Sequence, residues 1–138
     1  MAQGVRLSAA VMFVRDLDTS VNFYRDVLAL EVIDRNPTAA LLGNADGAQL
    51  ILRAMGGTAS HMLGTLGVQY VVWTAASHED LDQSEQLLRE RSAFQERRST
   101  GEVSSVEGRD PDKLVLVIIY PGPDKAPLRE LPPRIYAW

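Results

Sequence analysis

Cysteine is absent from this 138-residue chain, and histidine occurs only as His61 and His78. The first absence excludes disulfides, thiolate zinc sites, iron–sulfur ligation and cysteine nucleophiles. The second leaves any metal site dependent on carboxylates and amides. Basic charge is short too. Net charge is −4, and Arg97-Arg98 is a pair beside Glu96 rather than a stripe, so nucleic-acid binding has no electrostatic footprint. No apolar run approaches the roughly 20 residues that span a bilayer. Met1-Ala-Gln-Gly-Val-Arg lacks the apolar core of a signal peptide. A cytoplasmic protein with no membrane and no nucleic-acid partner is expected.

What is present is globular. Hydrophobic residues make up 46% and charged residues 23%, a balance that folds rather than stays disordered. The length suits one domain.

Local patterns set out two similar halves. Ala9–Val14 is a short apolar strand ending at Arg15-Asp16-Leu17-Asp18, where Asp18 is a candidate N-cap. Val21, Tyr24 and Leu28 then recur at helical spacing, and the helix turns near Ala29. Strands are expected at Leu30–Asp34, Ala39–Leu42 and Ala48–Ala54, the last two joined by the hairpin signal Asp46-Gly47. The second half repeats the order. Val68–Thr74 is a strand, and Ser77-His78-Glu79-Asp80 fits a capping box that opens a helix carrying Leu81, Ser84 and Leu88. Phe94–Arg98, Glu102–Glu107 and Leu114–Tyr120 follow as strands. Both halves read β-α-β-β-β, and Asp46-Gly47-Ala48-Gln49-Leu50-Ile51-Leu52 lies 66 positions before Asp112-Lys113-Leu114-Val115-Leu116-Val117-Ile118. An internal duplication is expected.

The segment from Val11 to Leu28, with Asp16-Leu17, Ser20, Phe23-Tyr24 and Leu28, resembles the opening of the vicinal oxygen chelate superfamily of glyoxalases, bleomycin-resistance proteins and extradiol dioxygenases. Asp110-Pro111-Asp112 resembles the family's second signature, a turn before the last strand. Two glycines usual in the family are replaced, one by Ala29 and one by Lys113. The resemblance covers about residues 7–122. It implies an α+β fold of two βαβββ modules (about 7–57 and 66–122) in a single domain, mixed sheets curling around a cleft, and a homodimer. Pro-rich residues 123–138 form a tail expected to pack on the domain or on a partner chain.

Active members hold a divalent metal with His, Gln or Glu near the ends of four strands. Counting by strand parity, those positions are Ala9, Ile51, Gln69 and Val117. Only Gln69 has a donor atom, and one donor makes no site. Shifting the register by one residue brings no better set. No metal and no cofactor are expected.

The same parity lines the cleft with Ala9, Val11 and Phe13; Gln49, Ile51 and Arg53; Gln69, Val71 and Trp73; Val115, Val117 and Ile119. Mostly apolar walls with a few orienting polar groups suit a small-molecule pocket. Phe13 or Trp73 would stack an aromatic ligand, and Arg53 would hold a carboxylate or phenolate. Each residue also has a plainer reading. Trp73 fits a core or interface position, Arg53 a partner for Glu31 or Asp34, and Gln69 a satisfied buried amide. Apolar residues on both strand faces also fit a cleft filled by side chains. No activated nucleophile or phosphate loop occurs; Glu102 and Glu107 are candidate general bases. The expected function is metal-independent binding of a small, largely apolar or aromatic molecule by Phe13, Gln49, Ile51, Arg53, Gln69, Trp73 and Val117. The alternatives are a metal-independent isomerase or cyclase and, after it, a divalent-metal lyase or dioxygenase.

Overall fold

Each of the two expected halves folds around one short helix and one mixed sheet. The computed structural model describes residues 4–5, 7–44, 47–55, 68 and 70–123, Thr100 by its backbone alone. The first half runs β1 (Ala9–Val14), α1 (Leu17–Val27), β2 (Glu31–Arg35), β3 (Ala39–Gly43) and β4 (Gln49–Ala54). The second runs β5 (Val71–Thr74), α2 (His78–Glu90), β6 (Phe94–Thr100), β7 (Val103–Arg109) and β8 (Val115–Tyr120). They fall in two compact units, Met1–Ser60 and His61–Trp138. The sheets are ordered β1-β4-β3-β2 and β5-β8-β7-β6. In both, the first strand is parallel to the last and the other neighbours are antiparallel. This is the α+β architecture read from the sequence. The tail from residue 124 lies outside the described residues.

Helix α1 starts two residues earlier than expected. Asp16, not Asp18, is the N-cap: its backbone is extended, and its carboxylate accepts from the Asp18 amide at 3.1 Å and the Thr19 hydroxyl at 2.9 Å. Asp18 sits in the first turn, where a negative charge suits the helix dipole, and pairs with Arg35 of β2. At α2 the cap is Ser77, as expected, but the reciprocal bond differs. The Ser77 hydroxyl accepts from the Asp80 amide at 3.1 Å and donates to the Asp80 carboxylate at 3.0 Å. The short aspartate reaches the hydroxyl instead of a backbone amide.

Both helices end alike. Ala29 and Ser92, each one residue past its C-cap, take left-handed φ values of 54° and 55°, a position that glycine usually fills. Lys113, the other residue standing where the family carries glycine, has φ 69°. It belongs to a turn closed by Asp110, whose buried carboxylate accepts from the amides of Asp112 at 2.9 Å and Leu114 at 2.8 Å. The second signature thus builds the turn into β8.

Alternation of side chains across each strand decides what is buried. In the first unit Val14, Ala40, Leu42, Leu50 and Leu52 are buried on the face that packs on Val21, Tyr24 and Val27 of α1. In the second, Leu81 and Leu88 of α2 are fully buried with Val106, Leu116 and Ile118. Gly108 marks that contact: a Cβ there would lie 2.8 Å from Leu88 Cδ2 and 2.8 Å from the Ala93 carbonyl oxygen. Arg97 of β6 reaches across to α2, bonding Asp82 at 2.7 Å and Glu85 at 2.8 Å. Arg89 joins Glu85 at 2.9 Å and lies 3.9 Å over the Phe94 ring.

Candidate functional site

The first sheet has one closed face and one open face. Parallel pairing aligns Ala9 with Gln49, Val11 with Ile51 and Phe13 with Arg53. Antiparallel pairing adds Leu41 beside Ile51 and Ala39 beside Arg53. All lie opposite the face that packs on α1, and they form three rungs across the strands. One rung is Ala9 and Gln49, the middle is Val11, Ile51 and Leu41, and the third is Phe13, Arg53 and Ala39. Val11 is 58% exposed and Phe13 57%, while Leu50 and Leu52, next along β4, are 0% exposed. An exposed apolar row beside a closed core row is what a binding face shows.

Gly43 continues the first rung, and an added Cβ there would lie 3.1 Å from Gln49 Cγ and 3.3 Å from Ile33 Cδ1. The missing side chain therefore lets Gln49 and Ile33 approach. Ile33, half exposed, lies on this face by plain alternation from Glu31 and Val32, which align with Gly43 and Leu42; the bulge that follows brings Asp34 opposite Leu41. Arg53 stands exposed with its guanidinium carbon 6.0 Å from the Phe13 ring centroid. Neither Glu31 nor Asp34 pairs with it. Asp34 instead accepts from the Arg35 amide at 2.8 Å.

The second sheet differs. Val72 aligns with Val117 and Trp73 with Ile118, so the expected facing of β5 is reversed. Trp73 and Val71 share the face of Leu116 and Ile118, the one packed on α2, and not that of Val117. Parity fixes facing only within a strand, and the offset between strands comes from hydrogen-bond register. The face of Val117 is closed: Val103, Val115, Val117 and Ile119 form a buried cluster with Tyr70 and Val72 against it. Two polar side chains are buried on this side of β7, Ser105 aligned with Ile119 and Glu107 aligned with Val117. His78 is exposed at the start of α2, its ring edge-on to Tyr120 at 4.6 Å.

Of the expected binding residues, Phe13, Gln49, Ile51 and Arg53 come together on one open face. Trp73 and Val117 lie on opposite faces of the second sheet, and Gln69 and His61 lie outside the described residues. Ala39, Leu41 and Ile33 complete the open face and were not expected there. Hairpin register from β4 would have indicated the first two, and its extension from β3 to β2 the third. Ala9, Ile51 and Val117, the positions at which the family resemblance would put ligands, carry no donor atoms, so these side chains do not fit a metal. Among the described residues no three His, Cys, Asp or Glu side chains cluster as ligands. No helix among them is long and apolar enough to cross a membrane.

The sequence profile of the Glyoxalase/Bleomycin resistance protein/Dioxygenase superfamily matches residues 6–118. The chain belongs to this superfamily. It is similar to a glyoxylase/bleomycin resistance protein/dioxygenase domain from Frankia sp. EAN1pec, with 25% identity, 86% and 98% of the two chains covered, and a TM-score of 0.69. A glyoxalase/dioxygenase from Nostoc punctiforme shares 17% identity over 86% and 94% of the chains, with a TM-score of 0.73. A lactoylglutathione lyase from Agrobacterium tumefaciens shares 18% identity over 84% and 93%, with a TM-score of 0.63. No curated protein matches the chain.

Proposed function

We propose that this protein binds a small, largely apolar or aromatic organic molecule on the open face of β1, β3 and β4, without a metal. One observation carries the proposal: Val11 and Phe13 of β1 are more than half exposed on one face, while Leu50 and Leu52 of the neighbouring β4 are fully buried on the other. Exposed apolar side chains in a contiguous row cost solubility, and a ligand that covers them returns that free energy. Metal independence is supported by the donor-free side chains of Ala9, Ile51 and Val117. The expected homodimer and cytoplasmic location belong to the same proposal.

The test is amide chemical-shift mapping of the full chain against a panel of apolar and aromatic small molecules, with and without a chelator. Saturable shifts on β1 and β4 that survive chelation are expected. Shifts that require added divalent ion would overturn the metal-free part. Sedimentation of the same sample checks the dimer.

A second reading, a metal-independent isomerase or cyclase, is favoured by Glu107. Its carboxylate is only 7% exposed and aligned with Val117, on the closed face of the second sheet. Loss of turnover in Glu107→Gln with retained folding is its expected signature.

A further inference from the structure

We infer that the ligand of the open face is an aromatic anion, its carboxylate or phenolate held by Arg53 and its ring laid on Phe13 and the apolar middle rung, an assignment that rests on the binding function proposed above. Six other arginines have identifiable partners. Arg25, Arg35, Arg89, Arg97 and Arg98 each lie against a carboxylate, and Arg109 donates to the Lys113 carbonyl at 3.2 Å. Arg53 has the Phe13 ring instead, and among the described residues no carboxylate pairs with it. Its guanidinium therefore keeps a fork of donors for an incoming anion, and it does so at the end of an apolar face.

The face is also graded. Gln49 offers an amide at one end of β4, Val11, Ile51 and Leu41 are apolar in the middle, and Phe13 and Arg53 stand at the other end. Four residues at about 3.3 Å each put roughly 13 Å between Gln49 and Arg53. That length exceeds one benzene ring with its acid group and suits two or three fused rings. An aromatic acid of that size would place its charge on Arg53, cover the middle rung and bring its far edge toward the Gln49 amide.

The experiment titrates the full ¹⁵N-labelled chain with four probes: 2-naphthoate, benzoate, the neutral isostere 2-naphthalenemethanol, and cyclohexanecarboxylate. Arg53→Gln and Phe13→Leu are compared with the parent, their folding checked by unchanged amide shifts in α1 and the second unit. Saturable shifts on β1, β3 and β4 are expected, with 2-naphthoate binding more tightly than the other three. Arg53→Gln should lose about tenfold in affinity for naphthoate, the low end for a charged hydrogen bond at an exposed site, and leave 2-naphthalenemethanol unchanged. Phe13→Leu should weaken naphthoate while leaving cyclohexanecarboxylate unchanged. If the alcohol binds as tightly as the acid, or Arg53→Gln leaves naphthoate unaffected, the anion assignment is wrong and the small-molecule function stands. If no probe produces saturable shifts on these strands, both are overturned.

Discussion

Val72 lies directly across from Val117 in the parallel pair of β5 and β8, and this places Trp73 beside Ile118. One step of register thus moves the largest side chain of β5 to the face that packs on α2.

Trp73→Ala should therefore act on folding and not on ligand binding. Full burial of an aromatic is worth about 3–5 kcal/mol on truncation to alanine; a half-buried indole should cost about 2 kcal/mol. Urea unfolding reads the loss, and naphthoate affinity should stay within about twofold of the parent by the independence of distant sites. A tenfold affinity loss would contradict a purely structural role for Trp73.

Ala29, Ser92 and Lys113 pay for left-handed backbone without glycine. All three side chains are exposed, so removing them costs little packing. Each glycine substitution should raise stability by about 0.5–1 kcal/mol, the strain relieved exceeding the entropy added to the unfolded chain. Thermal melts of the single and triple variants check this, and a fall in Tm would contradict it.

The bond from Arg97, and then that from Arg89, holds the Glu85 carboxyl below the usual glutamate range against the opposing effect of burial. A folded value below the unfolded one means stability that is complete above 4.5 and fades as pH falls through the folded value. Glu85→Gln should cost about 1 kcal/mol at neutral pH, as a charge-assisted pair at a partly covered site does. The difference from the parent should shrink on acidification. Urea midpoints between neutral pH and pH about 3 show whether the two curves converge.

Gly108 sits where a methyl group has no room. Gly108→Ala should destabilise by about 1–3 kcal/mol, since the obstructing atoms include the Ala93 carbonyl oxygen as well as a movable leucine tip. An unchanged urea midpoint would show that the β7–α2 contact yields.

Much of this architecture is legible in the letters, because turn chemistry and apolar period are local. Ser77 capped its helix as its spacing suggested, and Asp110-Pro111-Asp112 formed its turn. What failed was long-range or finely balanced. Asp16 and Asp18 are both plausible caps by residue type, and the choice fell to the one two places earlier, whose carboxylate reaches the Asp18 amide and the Thr19 hydroxyl. The facing of β1 and β4 followed from counting, whereas that of β5 depended on its pairing with β8, which no count within one strand reveals. Ile33 lies on the open face through the pairing of β2 with β3, which likewise no count within one strand reveals.

Leu50 and Leu52 hold the first sheet to its helix while Gln49, Ile51 and Arg53, interleaved with them, face outward. The fold and the proposed recognition are thus written in alternate letters of one strand. Under the proposed function, substitutions at Gln49, Ile51 and Arg53 would change which ligand is taken up, while Leu50 and Leu52 keep the sheet on its helix.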